Sequence, residues 1–312
     1  MRFYVSKCHD TLNGITYSPE TITPYLCLNP YYPASLKKNS RVKYILDSGA
    51  FQDVKTESRL TPEDALQRQL NFERKVGRRA ESIVSYDRLV DEQTEDGVQF
   101  KERVSESIGK EYVEETIESA KYLVSQRKRL KGRQLVLSCQ GTNADQYLEC
   151  MEAILDIATP DDVIGLGGFC ILSKSITYEN EFYEVINKGF PLIRENGNTR
   201  VHIFGMGVFR VLVQTDIFAR TNGIDCSYDT SSPELNAVFG KCFNPVEGQM
   251  ASVFSKIQKM NGYVPAELAM LNVRMITDYW KLITEMPLPE TDFHPGINKS
   301  RKERMKIKEN EE

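Results

Sequence analysis

The stretch Lys43-Tyr44-Ile45-Leu46-Asp47-Ser48-Gly49-Ala50-Phe51-Gln52 joins a short apolar run to an acid and a turn. The apolar run predicts a buried strand, and Asp47 stands at its carboxyl end. Barrel enzymes place catalytic groups at this end of their strands, and a following Gly lets a ligand approach the backbone closely. The alternative is a solvated Asp in an ordinary turn, because Asp-Ser-Gly is also common turn chemistry.

Similar apolar runs recur along the chain, with helical patterns between most of them. The strand candidates are Arg2–Ser6, Pro24–Leu28, Lys43–Leu46, Ser82–Tyr86, Gln134–Cys139, Val163–Leu166, Arg200–Phe204 and Ile224–Ser227. The helical patterns run from Pro62 to about Val76, from about Lys110 to Leu130, onward from near Asn143, Tyr178 and Val208, and from Pro265 to Met286. This alternation predicts an α/β fold with a parallel sheet and helices outside it.

Eight strands in a chain of 312 residues fit a single-domain (β/α)8 TIM barrel over residues 1–290. A doubly wound open sheet is the second candidate fold. No linker or internal repeat divides this region. From residue 291 to residue 312 the chain is highly charged, which predicts a flexible tail.

Composition excludes several classes of protein. No apolar stretch reaches the roughly 18 residues of a membrane span, and the first residues lack the features of a signal peptide. Seven scattered cysteines without a Cys-x-x-Cys pair indicate the reducing cytoplasm. None of the three histidines lies at zinc-ligand spacing from a cysteine, so we expect no metal. His202, in an apolar run, is expected to be a core histidine.

The net charge of −4 hides three basic clusters. Each is either a solvated helix end or part of a surface that contacts phosphate groups. The clusters are Arg74, Lys75, Arg78 and Arg79; Arg127, Lys128, Arg129, Lys131 and Arg133; and Lys299, Arg301, Lys302, Arg304, Lys306 and Lys308.

Nearly every predicted strand ends in an acid, an amide or a glycine pair. These ends are Asp47, Asp87, Gln140-Gly141, Gly165 to Gly168, Gly205 to Gly207, and Gly223 to Asp229. Glycines expose backbone groups to a planar ligand, and Asp and Gln can match the edge of a nucleobase with paired hydrogen bonds. Carboxylates from opposite sides of a barrel mouth suit a nucleophile and a general acid/base.

This ordered set resembles the tRNA-guanine transglycosylase superfamily. The family's Asp-Ser-Gly-Gly-Phe-Gln motif appears as Asp47–Gln52, with Ala50 replacing the second Gly. Similar family segments correspond to Gln140-Gly141, Leu166-Gly167-Gly168-Phe169, Phe204-Gly205-Met206-Gly207, Gly223–Asp229, and the helix segment Leu271-Asn272-Val273-Arg274. The similarity extends from about Asp47 to Met286.

The resemblance implies a role for each matching residue. Asp47 is the general acid/base for the departing and incoming bases, and Asp87 and Gln140 bind the base edge. The nucleophile that attacks the sugar C1′ is Asp229 or Asp225; the Tyr-Asp match favours Asp229, although its spacing from Asp225 is one residue longer than in the family. The remaining substrate-binding positions are Ser48, Gly49, Phe51, Gln52, Gly167, Gly168, Gly205 and Gly207.

Two departures select a branch of the family. The Cys triad of the tRNA enzymes' zinc site is reduced to Cys242, and Leu271 stands where their helix carries His. The resemblance therefore implies a barrel without the zinc subdomain, most like the DNA-modifying branch, deazapurine-DNA modification protein A. Such an enzyme exchanges guanine in DNA for a 7-deazaguanine such as 7-cyano-7-deazaguanine, through a covalent aspartyl intermediate and without a cofactor.

Two alternatives stay open: a transglycosylase that acts on tRNA, and a non-catalytic nucleic-acid-binding subunit. DNA and a 7-deazaguanine base are the expected partners. The sequence leaves open whether an accessory ATPase is needed to open the duplex.

Overall fold

The apolar runs of the sequence all form strands of one closed parallel barrel. A computed structural model describes residues 1–32, 34–36, 41–55, 59–93, 100–170, 176–253, 264–288 and 293–295. In chain order, the barrel strands are β1 (Arg2–Lys7), β2 (Tyr25–Leu28), β3 (Lys43–Leu46), β4 (Ser82–Val84), β5 (Gln134–Cys139), β6 (Val163–Leu166), β7 (Arg200–Ile203) and β8 (Asp225–Thr230). The predicted (β/α)8 barrel is confirmed, and the open sheet is not formed.

The barrel closes because β1 pairs in parallel with both β2 and β8. Each of the other strands pairs with its neighbours in chain order, so all carboxyl ends lie at the same end of the barrel. Apolar side chains from six successive strands pack together in its interior: Tyr4, Cys27, Ile45, Val84, Val136 and Val163. This packing fills the centre below the strand ends, as in other barrels of this type.

Helices cover the outside of the barrel. Those described are α1 (Ala50–Lys55), α2 (Pro62–Val76), α3 (Glu106–Ser125), α4 (Ala144–Leu155), α5 (Ile176–Glu195), α6 (Phe209–Thr221), α7 (Ser232–Val238) and α8 (Pro265–Glu285). Helix α2 begins as its sequence predicts, because the Thr61 hydroxyl accepts a hydrogen bond from the Asp64 N–H at 3.1 Å and Pro62 follows the cap. It ends at Gly77 in the left-handed conformation.

The sequence placed some boundaries incorrectly. Strand β8 continues to Thr230 instead of ending at Ser227, because its buried inward residues are polar and break the apolar pattern. Helix α3 begins earlier than predicted, at Glu106, and ends at Ser125. Three short hairpins of mixed polarity were not predicted: Thr11–Leu12 with Ile15–Thr16, Asp91–Gln93 with Phe100–Arg103, and Lys241–Asn244 with Gln249–Ser252.

The first two basic clusters lie at the amino-terminal end of the barrel. They directly precede β4 and β5. Some of their side chains form ion pairs within the protein. Arg133 pairs with Glu73, and Arg127 pairs with Asp162 at 2.7 Å. Two of the three clusters are therefore far from Asp47, at the opposite end of the strands. The third cluster and all of the predicted tail except residues 293–295 lie outside the described residues.

No helix within the described ranges is both long and apolar enough to cross a bilayer.

Candidate active site

Asp47 extends directly from the carboxyl end of β3 into the barrel mouth. Its carboxylate accepts hydrogen bonds from Asn29 Nδ2 at 2.7 Å and from the Ser48 N–H at 2.8 Å. Burial raises the pKa of Asp47 to about 7, and the nearby carboxylates of Asp87 and Asp229 act in the same direction. Asp47 can therefore give or take a proton near neutral pH, which is what a general acid/base requires.

Two side chains of α2, Arg68 and Gln69, hold the turn after Asp47. Gly49 has a φ of 82°, and a Cβ there would lie 2.7 Å from Arg68 Nη2. Arg68 donates to the Ser48 carbonyl and forms an ion pair with the buried Asp53 at 2.9 Å. Gln69, also on α2, donates from its Nε2 to the carbonyl groups of Leu46, Asp47 and Val84, at 3.2, 3.0 and 3.0 Å. Helix α2 thus fixes the ends of β3 and β4.

Asp87 follows β4 and forms a side-chain pair with Gln140, which follows β5. Gln140 Nε2 donates to Asp87 Oδ2, and Ser48 Oγ donates to Asp87 Oδ1 at 3.2 Å. Burial raises the pKa of Asp87, against the lowering effect of these hydrogen bonds. The amide oxygen of Gln140 is buried and has no hydrogen-bond partner among the described residues. A buried acceptor without a donor is costly, so this oxygen marks a place for a ligand N–H group.

Gly167 and Gly168 leave no room for side chains beside Gln140. A Cβ at Gly167 would lie 2.3 Å from Gln140 Nε2, and a Cβ at Gly168 would lie 2.7 Å from Gln140 Oε1. Gly168 also has a φ of 74°. The Tyr147 hydroxyl donates to the Gly167 carbonyl at 3.1 Å. Only glycines fit this backbone next to the Gln140 amide.

Asp229 lies on the inner face of β8 and is 7% exposed. Ser6 Oγ donates to its Oδ2, and the Gly205 N–H donates to its Oδ1 at 3.1 Å. His202 Nε2 lies 3.2 Å from the same Oδ1. The predicted core histidine is thus fully buried and also touches the candidate nucleophile. Three partners hold one Asp229 carboxylate in a fixed orientation at the mouth.

Asp225 is not part of this arrangement. It starts β8 at the amino-terminal end of the barrel and forms an ion pair with Arg2. Alternate residues of a strand face the same side, so Asp225 and Asp229 share the inner face but are about 13 Å apart at roughly 3.3 Å per residue. Of the two nucleophile candidates, the structure brings only Asp229 to Asp47.

The remaining predicted site residues lie on the loops and the short helix that follow the barrel strands. Gly205 has a φ of 63°, and a Cβ there would lie 2.6 Å from Cys170 Sγ. A Cβ at Gly207 would lie 3.0 Å from Ser232 Oγ. Gln52, on α1, accepts from Asn29 Nδ2 at 2.6 Å and donates to the Tyr32 hydroxyl at 3.3 Å. Its neighbour Phe51 is partly buried on the same short helix.

Sequence reasoning missed Asn29 and Ser6 as site residues. Both occupy the same kind of position as Asp47: Ser6 is the penultimate residue of β1, and Asn29 directly follows β2. Asn29 links the first and last residues of the Asp47–Gln52 motif by donating to both side chains. The rule that selected Asp47 would have selected Asn29, an amide directly after a strand, whereas the hydroxyl of Ser6 gives no such signal.

No family model matches the chain, and no curated protein matches it. Within the described ranges, no group of three or more His, Cys, Asp or Glu side chains is arranged to hold a metal ion.

Proposed function

We propose that this protein is a base-exchange glycosyltransferase that replaces guanine in DNA with a 7-deazaguanine such as 7-cyano-7-deazaguanine. One observation supports this most strongly. Asp47, with its pKa raised to about 7, lies close enough to Asp87 and Asp229 to be influenced by both carboxylates at one barrel mouth. A proton-transferring acid beside an oriented carboxylate is the pair that glycosyl transfer needs.

The polar groups of the pocket match the edge of guanine. Asp87 and the amide oxygen of Gln140 are acceptors, and Gln140 Oε1 has no donor within the described residues. Guanine presents the N1–H and the N2 amino group on one edge, whereas adenine presents an unprotonated N1 there. The same edge is present in a 7-deazaguanine, so one pocket serves both the departing and the incoming base. The target nucleotide has to leave the base stack to reach it.

In the proposed first step, an Asp229 oxygen attacks C1′ as the bond from C1′ to the base N9 breaks. The bonding electron pair goes to the guanine, which takes a proton from Asp47. In the second step, the N9 nitrogen of the incoming base attacks C1′ and its proton goes to Asp47, while the Asp229 ester bond breaks. Two displacements at C1′ retain the configuration of the sugar and return both acids to their starting states.

The choice of DNA over tRNA rests on the region after β8. Cys242, the one cysteine at the position of the family's zinc site, is buried with its Sγ 3.6 Å from Met275 Sδ. It therefore packs in the core, whereas the resemblance associates the tRNA enzymes with a zinc subdomain here. The first two basic clusters lie at the opposite end of the barrel, so they do not support the expectation that they contact DNA at the mouth.

Base exchange tests the proposal. Purified protein is incubated with DNA or with tRNA carrying radiolabelled guanine, 7-cyano-7-deazaguanine is added, and release of label is measured. We expect release from DNA. Release from tRNA alone would indicate a transglycosylase that acts on tRNA. No release from either substrate would indicate a non-catalytic subunit, or an enzyme that requires a partner such as an ATPase.

The nucleophile is tested with two matched variants. Asp229→Asn should abolish the covalent protein–DNA adduct seen on a denaturing gel, because it removes the attacking carboxylate. Asp225→Asn removes a carboxylate from the same face of the same strand and should keep the adduct. The opposite pattern would refute the assignment of Asp229.

A further inference from the structure

Arg103 is a buried cation close to the base pocket. It ends the strand Phe100–Arg103, which pairs with Asp91–Gln93 between β4 and α3, and its side chain is 6% exposed. A buried guanidinium is costly unless its donors are satisfied, so its partners indicate what it is for.

The Arg103 side chain contacts the loops that follow three neighbouring strands. Nη1 donates to the Thr142 carbonyl at 2.8 Å, and Nη2 donates to the Gly168 carbonyl at 3.2 Å. Thr142 follows β5, Gly168 follows β6, and Arg103 itself belongs to the segment after β4. The rigid, planar guanidinium group of Arg103 therefore fixes the spacing between these three loops.

Acidic and aromatic side chains complete the surroundings of the guanidinium. Nη1 forms an ion pair with Glu181 on α5, and Nε lies 3.9 Å from Asp91 Oδ1. The ring centroids of Phe169 and Tyr178 lie 5.6 and 5.1 Å from the guanidinium carbon. A lysine would keep the charge but could not bond both carbonyl groups and stack on two rings at once.

We infer that Arg103 is a positioning residue for the base pocket: through the carbonyl groups of Thr142 and Gly168 it sets the distance between Gln140 and the glycines that face it. Gly168 is the critical contact, because its Cα is already too close to Gln140 Oε1 to carry a Cβ. Tyr147 holds Gly167 from α4, so Arg103 and Tyr147 fix adjacent peptide groups of one turn. The inference rests on the proposed function for the identity of the ligand, but not for the ordering of the loops.

Hydrogen exchange tests the ordering without any substrate. Arg103→Lys should accelerate amide exchange in the segment 165–170 by about tenfold or more, because the turn loses its donor and opens locally. The control is Arg133→Lys, which alters another buried arginine, 8% exposed and paired with Glu73, at the opposite end of the barrel. Unchanged exchange in 165–170, or equal acceleration in both variants, would overturn the inference.

Steady-state kinetics test the consequence for catalysis. Arg103→Lys should raise the KM for 7-cyano-7-deazaguanine about tenfold while kcat changes less than about threefold, because base binding is affected and the carboxylates are not. Arg133→Lys should leave both constants unchanged. A fall in kcat at constant KM would contradict a positioning role in the base pocket. If the wild-type protein alone shows no base exchange, hydrogen exchange still decides the inference.

Discussion

Replacing Asp47 with Asn should change the pH dependence of folding stability by a defined amount. The pKa of Asp47 is raised from 3.8 to about 7 in the folded protein. The folded state therefore binds more protons than the unfolded state between these values, so this carboxyl makes stability fall as pH rises through that range. Above the folded pKa the loss is complete and constant.

The magnitude follows from the distance to the folded pKa. Between pH 5 and the folded pKa of about 7 there are about two units, each corresponding to roughly 1.4 kcal/mol. The free energy of unfolding of Asp47→Asn, relative to wild type, should therefore rise by about 3 kcal/mol from pH 5 to pH 8. Asn29 Nδ2 faces the new amide, and a donor placed against a donor costs about 1–3 kcal/mol at every pH. That cost lowers the free energy of unfolding of Asp47→Asn equally at pH 5 and pH 8. The change of about 3 kcal/mol between the two pH values therefore stays the same.

This difference is measured by urea unfolding of wild type and Asp47→Asn at pH 5, 6, 7 and 8. Circular dichroism monitors the unfolding of each protein. Asp225→Asn serves as the control, because it removes an interior-face carboxylate at the opposite end of β8. A difference between Asp47→Asn and wild type that stays constant within about 0.5 kcal/mol from pH 5 to pH 8 would refute the reasoning. It would mean that Asp47 does not titrate near neutrality and is unsuited to exchange protons with a base.

Two further predictions concern the pocket and the nucleophile. Gly168→Ala and Gly132→Ala both place a side chain at positive φ, 74° and 84°, and each should lose about 1–2 kcal/mol of stability by urea unfolding. Only Gly168→Ala also forces a Cβ against Gln140, so calorimetry should show at least a tenfold loss of affinity for 7-cyano-7-deazaguanine in that variant alone. Ser6→Ala removes a hydroxyl donor from Asp229 and should slow covalent adduct formation about tenfold in single-turnover assays. Ser138→Ala removes a buried hydroxyl without a hydrogen-bond partner in the described residues, and an equal slowing there would exclude a specific role for Ser6.

The sequence was sufficient for the barrel because its signal is local. Most of the eight strands are short and largely apolar; Asp47 directly follows β3, and Asp87 comes three residues after the end of β4. The positions of Asp47, Asp87 and Gln140 at one end then follow from the parallel arrangement alone. Strand β8 was placed less well, because Ser227 and Asp229 are inward-facing and polar, so that hydrophobicity does not mark its end.

Other parts of the site depend on contacts that no local pattern contains. Arg103 is separated from Gly168 by 65 residues and from Glu181 by 78 residues, and nothing in its own segment marks it as buried. The choice between Asp225 and Asp229 likewise needed the register of β8 against β1, where Tyr4 lies opposite Asp229 and Arg2 lies opposite Ser227. The location of the basic clusters depended on which end of the barrel their helices reach.

The filled barrel interior has a consequence for the order of events. Tyr4, Ile45 and the side chains around them fill the centre, and Arg2 pairs with Asp225 at the far end. In the proposed reaction, a base therefore reaches Asp47 through the barrel mouth, which also admits the nucleotide. The departing guanine must then leave through the mouth before its replacement can enter. The two bases thus occupy the same site in turn. In the interval between them, the DNA strand stays covalently bound to Asp229.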